Sequence, residues 1–186
     1  TGLDRFFKFN LAGVIEIAPD LSTVRDADGY VDSTSLLCGL CGERRPSVAA
    51  FMKDFEKVYD RREETGADIV SFLVACGSES PNGTVGVGIS LDNESIQSRD
   101  FPDEAYNVCL IEAVANDCTM AHEIGHNMGA GHAKMKEGDN SGPQLYDYST
   151  GYYFNVTNAD GNVFMHAASV MAYDSDGYDD DYKWGE

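Results

Sequence analysis

The sequence has little positive charge and no long apolar run. Its 186 residues include 13 Lys and Arg against 32 Asp and Glu, a formal net charge of −19. Basic residues do not cluster to meet phosphates, which argues against a nucleic-acid partner. No stretch approaches the about 18 uninterrupted apolar residues of a membrane span. The length suits one domain over 1–186, and we attribute the acidity to solubility or a saline medium.

Histidine is also scarce, and its distribution is uneven. The chain has four histidines, and three of them lie in the stretch His122-Glu-Ile-Gly-His-Asn-Met-Gly-Ala-Gly-His132. On a helix, His122 and His126 lie one turn apart on the same face and can reach one metal ion. Gly129 can adopt the positive φ that ends a helix and brings His132 back as a third ligand. Three imidazoles with an open fourth position are typical of catalytic zinc.

Glu123 is the candidate catalytic group of this stretch. It lies about 100° around the helix from His122, beside the metal but not bound to it. That is where a general base acting on a zinc-activated water belongs. An amphipathic helix with solvated histidines is the alternative, and the glycine and third histidine at these offsets disfavour it. We interpret the fourth histidine, His166, as structural or near the surface.

Five cysteines are many for a cytosolic enzyme and favour an oxidising compartment, so we expect a secreted protein with disulfide bonds. The odd number leaves one thiol without a partner inside this chain. The cysteines are Cys38, Cys41, Cys76, Cys109 and Cys118.

Apolar periodicity predicts the main elements of the chain. Asn116 or Asp117 is expected to cap the helix that bears His122. A helix is predicted from Pro46, with Gly66 as its stop. The predicted strands are 6–18, 67–75, 84–91 and 106–111, followed by a hairpin of 152–156 and 162–164.

The stretch Asp26-Ala-Asp-Gly-Tyr-Val-Asp32 spaces carboxylates around a glycine. It is faintly similar to a calcium loop, which would make Ca²⁺ a second cofactor. Because it lacks the EF-hand pattern and its closing glutamate, an acidic surface turn is favoured.

The histidine stretch, followed by Ser169-Val-Met-Ala-Tyr173, resembles the metzincin zinc endopeptidases. The second motif is similar to their Met-turn, with Met171 beneath the metal. Within that clan the chain is most similar to the reprolysin (adamalysin)-like enzymes, from about Leu11 to Tyr173. The supporting order is a helix, then Gly66-Ala-Asp-Ile-Val-Ser-Phe-Leu-Val74, then Gly86-Val-Gly-Ile89, then the zinc helix.

The resemblance implies an α/β fold: a twisted mixed sheet and an active-site helix in an upper part of about 1–130, above a small irregular C-terminal part of about 131–186. It also implies one catalytic Zn²⁺, peptide-bond hydrolysis, and a protein or peptide substrate bound in extended form along 84–91. We expect the chain to be shortened at both ends relative to the family.

Two positions depart from the reprolysin pattern. Ala133 replaces the Asp that usually follows the third histidine. Tyr173 replaces a proline and is closer to astacins and serralysins, whose tyrosine can approach zinc. Tyr173 is therefore either a catalytic group or a packing residue. The alternative function is an extracellular binding module that has lost turnover, which the retention of Glu123 disfavours. A thermolysin-like protease is disfavoured by Gly129 and His132.

Overall fold

The structure, a computed structural model, describes residues 9–25, 29–42, 52–75, 86–88, 105–133 and 142–172. Within these ranges the helices and strands follow one another as α1 Ser33–Leu40, α2 Met52–Thr65, β1 Val70–Val74, β2 Gly86–Gly88, β3 Tyr106–Leu110, α3 Ile111–Asn116, α4 Thr119–Asn127, β4 Tyr153–Thr157 and β5 Val163–Ala168. A short 3₁₀ turn, Leu21–Thr23, precedes α1.

Three strands form a mixed sheet in the order β1-β3-β2. β1 runs parallel to β3, and β2 runs antiparallel to it. All five residues of the central strand β3 are buried, as expected for a strand with neighbours on both edges and a helix packed against it. The predicted α/β class with a mixed sheet is confirmed.

The main hydrophobic core joins α1, α2 and the sheet. Leu36, Leu40, Phe55 and Val108 have no exposed surface. The rings of Phe55 and Phe72 meet edge to face, with centroids 5.5 Å apart, a favoured aromatic geometry. The helical spacing of apolar residues in α2 therefore marks the face that covers the sheet.

Helix boundaries follow local signals in the sequence. Gly66 ends α2 with φ +62°, as predicted. The Asp117 carboxylate accepts a hydrogen bond from the Thr119 amide at 2.7 Å, which satisfies one of the free donors at the start of α4. The N-cap residue of α4 is Cys118, one position after the predicted Asn116 or Asp117, and it makes no side-chain cap hydrogen bond. The short helix α3 before it was not predicted.

Two strand predictions need correction. Residues 9–18 form neither strand nor helix, and Leu11 and Val14 are 84% and 78% exposed. None of the described strands pairs with this segment, so its backbone gains no ladder hydrogen bonds. β1 is shorter than the predicted 67–75 and less buried, with Leu73 42% exposed. Among the described strands it has a neighbour on one edge, β3, which explains its partial exposure.

The C-terminal part is more regular than the resemblance implied. β4 and β5 pair antiparallel, so the predicted hairpin is confirmed. The side chain of Asn158 accepts from the amides of Asp160 and Asn162 at 3.0 and 2.9 Å. Gly161 completes the turn with φ +81°. A short polar side chain and a glycine thus form the turn between the two strands.

No disulfide joins any two of the four cysteines within the described ranges. Cys76 lies outside those ranges. Cys109 is fully buried in β3, and burial, with the charge of Glu123 as a smaller cause, raises the pKa of its thiol to about 12. The predicted disulfide bonding therefore has no support from these four residues.

The acidic stretch 26–32 is only partly within the described residues, since 26–28 lie outside them. The Asp32 carboxylate accepts from the Ser35 amide at 3.1 Å and so caps α1. That use agrees with a structural turn, and a Ca²⁺ site remains a prediction. Within the described ranges, the longest helix has 14 residues and no helix combines the length and apolar character needed to cross a bilayer.

Candidate metal centre

Helix α4 presents His122 and His126 on one face, as their four-residue spacing predicts. Their ring centroids are 4.9 Å apart. The helix ends at Asn127, and Gly129, just past the C-cap residue Met128, has φ +88° and donates its amide to the His126 carbonyl at 2.9 Å. A β-carbon at Gly129 would lie 2.5 Å from Leu145 Cβ. The position therefore requires glycine both for its conformation and for space.

The turn brings His132 back to the face of α4. Its Nε2 lies 3.1 Å from Nε2 of His126 and 3.2 Å from Nε2 of His122. Two nitrogens bound to one tetrahedral zinc at 2.0–2.1 Å are about 3.3–3.4 Å apart. The two distances from His132 are thus close to the separation that a shared zinc ion requires, and the ligand atoms of all three histidines lie within 4.8 Å of one another, a group that could hold a metal ion.

Backbone carbonyls fix the orientation of both helix histidines. Nδ1 of His122 donates to the carbonyl of Val170 at 2.7 Å, and Nδ1 of His126 donates to the carbonyl of Ala130 at 2.9 Å. A carbonyl can only accept, so the proton of each neutral ring lies on Nδ1. Each Nε2 then carries a lone pair directed into the cluster, the arrangement common to metal-binding histidines.

The environment also favours neutral imidazoles. Burial, followed by the charges of His132 and His122, lowers the pKa of His126 to about 4. Burial and the nearby His122 also lower the pKa of His132. Because a metal competes with protons for the same nitrogens, rings that stay neutral near pH 7 bind it without first losing a proton.

The loop bearing His132 is held by residues 149–151, which the sequence analysis missed. The Gly131 amide donates to the Ser149 carbonyl at 2.8 Å, and the Gly151 amide donates to the Gly131 carbonyl at 2.9 Å. A β-carbon at Gly151 would collide with the backbone of Met171 and lie 2.7 Å from the Ala133 amide. Three chain segments therefore meet at one glycine, and no side-chain motif marks such a junction.

Met171 packs against the helix between the first two histidines. Met171 is 6% exposed, and its sulfur occupies the space where a side chain at position 125 would lie. A flexible thioether suits such an irregular gap. The preceding residue, Val170, supplies the carbonyl that orients His122. The turn at 169–172 thus supports the histidine cluster from below.

Glu123 is 6% exposed, and its side chain lies between the backbone of α4 and β2. Burial raises the pKa of its carboxyl to about 7. Within the described ranges no hydrogen-bond donor reaches this carboxylate. A buried carboxylate normally has partners that offset its desolvation. A buried carboxylate without such a donor in the described ranges, beside three neutral imidazoles, is consistent with a site that binds a cation and water.

The structure brings together His122, His126 and His132 with Glu123 on the same helix. Tyr173 lies outside the described residues. His166 falls in β5, in register with Asn155 of β4. Sequence reasoning missed the carbonyls of Val170 and Ala130, because a backbone acceptor carries no residue signature.

Comparisons with known proteins agree with this geometry. Residues 11–177 match the family described as metallo-peptidase family M12. A peptidyl-Asp metalloendopeptidase of Pseudomonas aeruginosa is 35% identical over 135 residues, which cover 66% of this chain. The match spans only 20% of that relative's length. No solved structure matches the chain.

Proposed function

Since the chain belongs to metallo-peptidase family M12, we propose that it is a zinc-dependent endopeptidase whose ion is held by His122, His126 and His132. The observation that carries the proposal is the approach of His132 Nε2, from a separate loop, to within 3.1 and 3.2 Å of the Nε2 atoms of His126 and His122 on one helix. The Nε2 atoms of His122 and His126 both carry lone pairs directed at the same point, and a cation bound there would accept both of them together with the lone pair of His132.

A zinc ion bound there would supply Lewis-acid polarisation of the scissile carbonyl and would lower the pKa of a water to about 7. The protein supplies the rest of the reaction. Glu123 accepts the proton of the attacking water and returns it to the leaving amine. Its carboxylate has lone pairs for this transfer, since no donor within the described ranges occupies them. Water attacks directly, so no covalent intermediate forms.

The substrate is proposed to bind in extended form along β2. This strand lies at one end of the order β1-β3-β2 and pairs with β3 on one edge. No other described strand pairs with β2, so its second edge can pair with an added peptide strand. Main-chain hydrogen bonds would then fix the scissile bond relative to the three histidines. Of the predicted segment 84–91, the structure describes residues 86–88.

Replacing Glu123 tests the mechanism. Glu123→Gln preserves size and removes the base, so kcat for a quenched peptide or casein should fall about 10²–10⁴-fold. Bound zinc, measured by atomic absorption, should remain at the wild-type level. A chelator should abolish wild-type turnover, and added zinc should restore it.

If Glu123→Gln hydrolyses the peptide at the wild-type rate, Glu123 is not the general base. Absence of any chelator-sensitive hydrolysis in the wild type would favour the alternative, an extracellular binding module. A peptide library with and without Asp would show whether the preference named for the Pseudomonas relative extends to this chain.

Tyr173 remains a predicted catalytic residue. If its hydroxyl donates to the oxyanion, Tyr173→Phe should lower kcat on the order of 10²-fold with little change in KM. A kcat within about twofold of wild type, at normal zinc content, would assign the tyrosine to packing. Secretion also remains a prediction, resting on the five cysteines. Mass spectrometry of the native protein with and without reductant would count the bonded ones.

A further inference from the structure

The strand beside the metal-bearing helix has no side chains on the face it turns toward that helix. Residues two apart on a strand face the same side, so Gly86 and Gly88 share a face and Val87 occupies the other. Val87 packs against the main core. The register pairs Gly86 with Cys109 and Gly88 with Asn107 of β3. The glycine face of β2 is therefore the one that meets α4.

Glu123 fills the space left by the two glycines. A β-carbon at Gly86 would lie 2.8 Å from Glu123 Oε1, and one at Gly88 would lie 3.1 Å from Oε2. One carboxylate oxygen thus lies against each glycine. At Gly88 the β-carbon would also approach the Glu123 carbonyl oxygen to 2.8 Å. The helix backbone is therefore closer to Gly88 than a β-carbon would permit, and a β-carbon at either glycine would press the Glu123 carboxylate away from its observed position.

We propose that Gly86 and Gly88 form a side-chain-free slot on β2 that fixes the position of the Glu123 carboxylate, which makes both of them positioning residues of the hydrolysis. The inference rests on the proposed function, in which Glu123 is the base. Glycine has no intrinsic advantage in a strand and usually weakens one. The slot explains why both positions are glycine. The carboxylate packs against the bare backbone of β2, and steric contact places it, without a hydrogen bond within the described ranges.

A substitution at Gly86 can distinguish the contact with Glu123 from the packing of β2 against the rest of helix α4. The nearest atom to a β-carbon there is Thr119 Cγ2, at 2.7 Å, well inside the about 3.5–4.0 Å preferred by carbon pairs. Thr119→Ser removes that methyl group and keeps the hydroxyl that bonds to Asp117. In the Thr119→Ser background, Gly86→Ala therefore meets Glu123 as its principal obstacle.

The first experiment measures kcat, KM and bound zinc for Thr119→Ser alone and combined with Gly86→Ala. A catalytic group displaced by up to about 1 Å loses up to about 10²-fold in rate. We expect the double variant to lose at least about tenfold in kcat, with KM and zinc content within twofold of Thr119→Ser. Gly13→Ala, a glycine-to-alanine change outside β2 whose β-carbon would meet the flexible side chain of Arg61, should leave kcat within twofold of wild type. A double variant with the kcat of Thr119→Ser would overturn the proposal.

The second experiment does not depend on activity or metal. Urea unfolding of the metal-free protein, again in the Thr119→Ser background, completes a double-mutant cycle between Gly86→Ala and Glu123→Ala. If the slot holds the carboxylate, Gly86→Ala should lower the unfolding midpoint more when Glu123 is present than when it has been replaced. Equal shifts in the two backgrounds would refute the contact. Absence of turnover in the wild type would instead refute the proposed function. The double-mutant cycle would still show whether Gly86 and Glu123 are in contact.

Discussion

The proposed metal site is built from two regions that hold their histidines in different ways. Helix α4 carries His122 and His126 and is packed against a buried strand of the sheet. The loop after it carries His132 and is held by backbone hydrogen bonds to residues 149–151. In the helix the ligand geometry follows from sequence spacing, whereas in the loop it follows from contacts between distant segments.

The difference extends to what supports each region. The C-terminal end of α4 is fixed by a buried pair of amides: Asn107 Nδ2 donates to Asn127 Oδ1 at 2.8 Å, and Asn127 Nδ2 donates to the Tyr106 carbonyl at 2.9 Å. The loop is tied to residues 149–151 by main-chain hydrogen bonds. Its position depends on Gly151, which lets residue 133 and residue 171 approach the same point. The helix should therefore tolerate local changes that the loop does not.

Gly151→Ala should have the largest effect, on metal affinity. Its φ is not positive, so alanine meets no backbone strain, but the β-carbon would collide with the backbone of Met171 and the Ala133 amide. Backbone cannot move aside as a side-chain tip can, so the His132 loop should shift. We expect a loss of about 10–100-fold in zinc affinity, the range seen when outer support of a ligand is removed.

Competition with a chromogenic chelator would measure that loss. Gly13→Ala is a matched control, because its β-carbon would meet only the flexible side chain of Arg61 at 3.2 Å. If Gly151→Ala keeps the zinc affinity of the wild type, the loop can adjust to the added β-carbon. The helix and the loop would then tolerate local substitutions equally well.

Asn107→Ala should lower stability and leave the metal site largely intact. The change removes a donor from a buried amide oxygen, a loss that typically costs about 1–3 kcal/mol in the free energy of unfolding. Both histidines of α4 remain on their helix, so zinc content at saturation should match the wild type. Urea denaturation with a parallel metal assay would check this, and a large loss of zinc in the folded variant would show that the helix depends on its anchor more than the loop does.

Met171→Leu should have the smallest effect. The residue fills space beside Gly125, and Leu-for-Met exchange in a core usually costs less than about 1.5 kcal/mol. Zinc content and most activity should be retained, because the Val170 carbonyl that orients His122 belongs to the backbone. Thermal unfolding and a metal assay would test it; loss of zinc from a variant with a normal melting temperature would assign the thioether a direct role at the metal.

The elements near the site could be predicted where one local signal dominated. β3 was identified from its apolar run, the start of α4, to within one residue, from Asp117, the end of α2 from Gly66, and the hairpin from Asn158–Gly161. The predicted strand at 6–18 is wrong over 9–18, since an apolar run forms a strand only when a neighbour pairs with it. The sequence predicted a substrate strand along 84–91, and it did not reveal that the face formed by Gly86 and Gly88 lies against Glu123.

The sequence by itself determined the chemistry of the site: two imidazoles and a carboxylate at helical spacing, then a glycine that can reverse the chain, then a third imidazole. These depend on residue type and on the 3.6-residue period of a helix, both of which are local. Only the tertiary structure decided which carbonyls orient His122 and His126, why Gly151 supports the His132 loop, and where the Glu123 carboxylate lies. Apart from the Ala130 carbonyl, which is four residues from His126, those features depend on segments that are distant in the sequence. They involve backbone atoms, which every residue carries and no motif distinguishes.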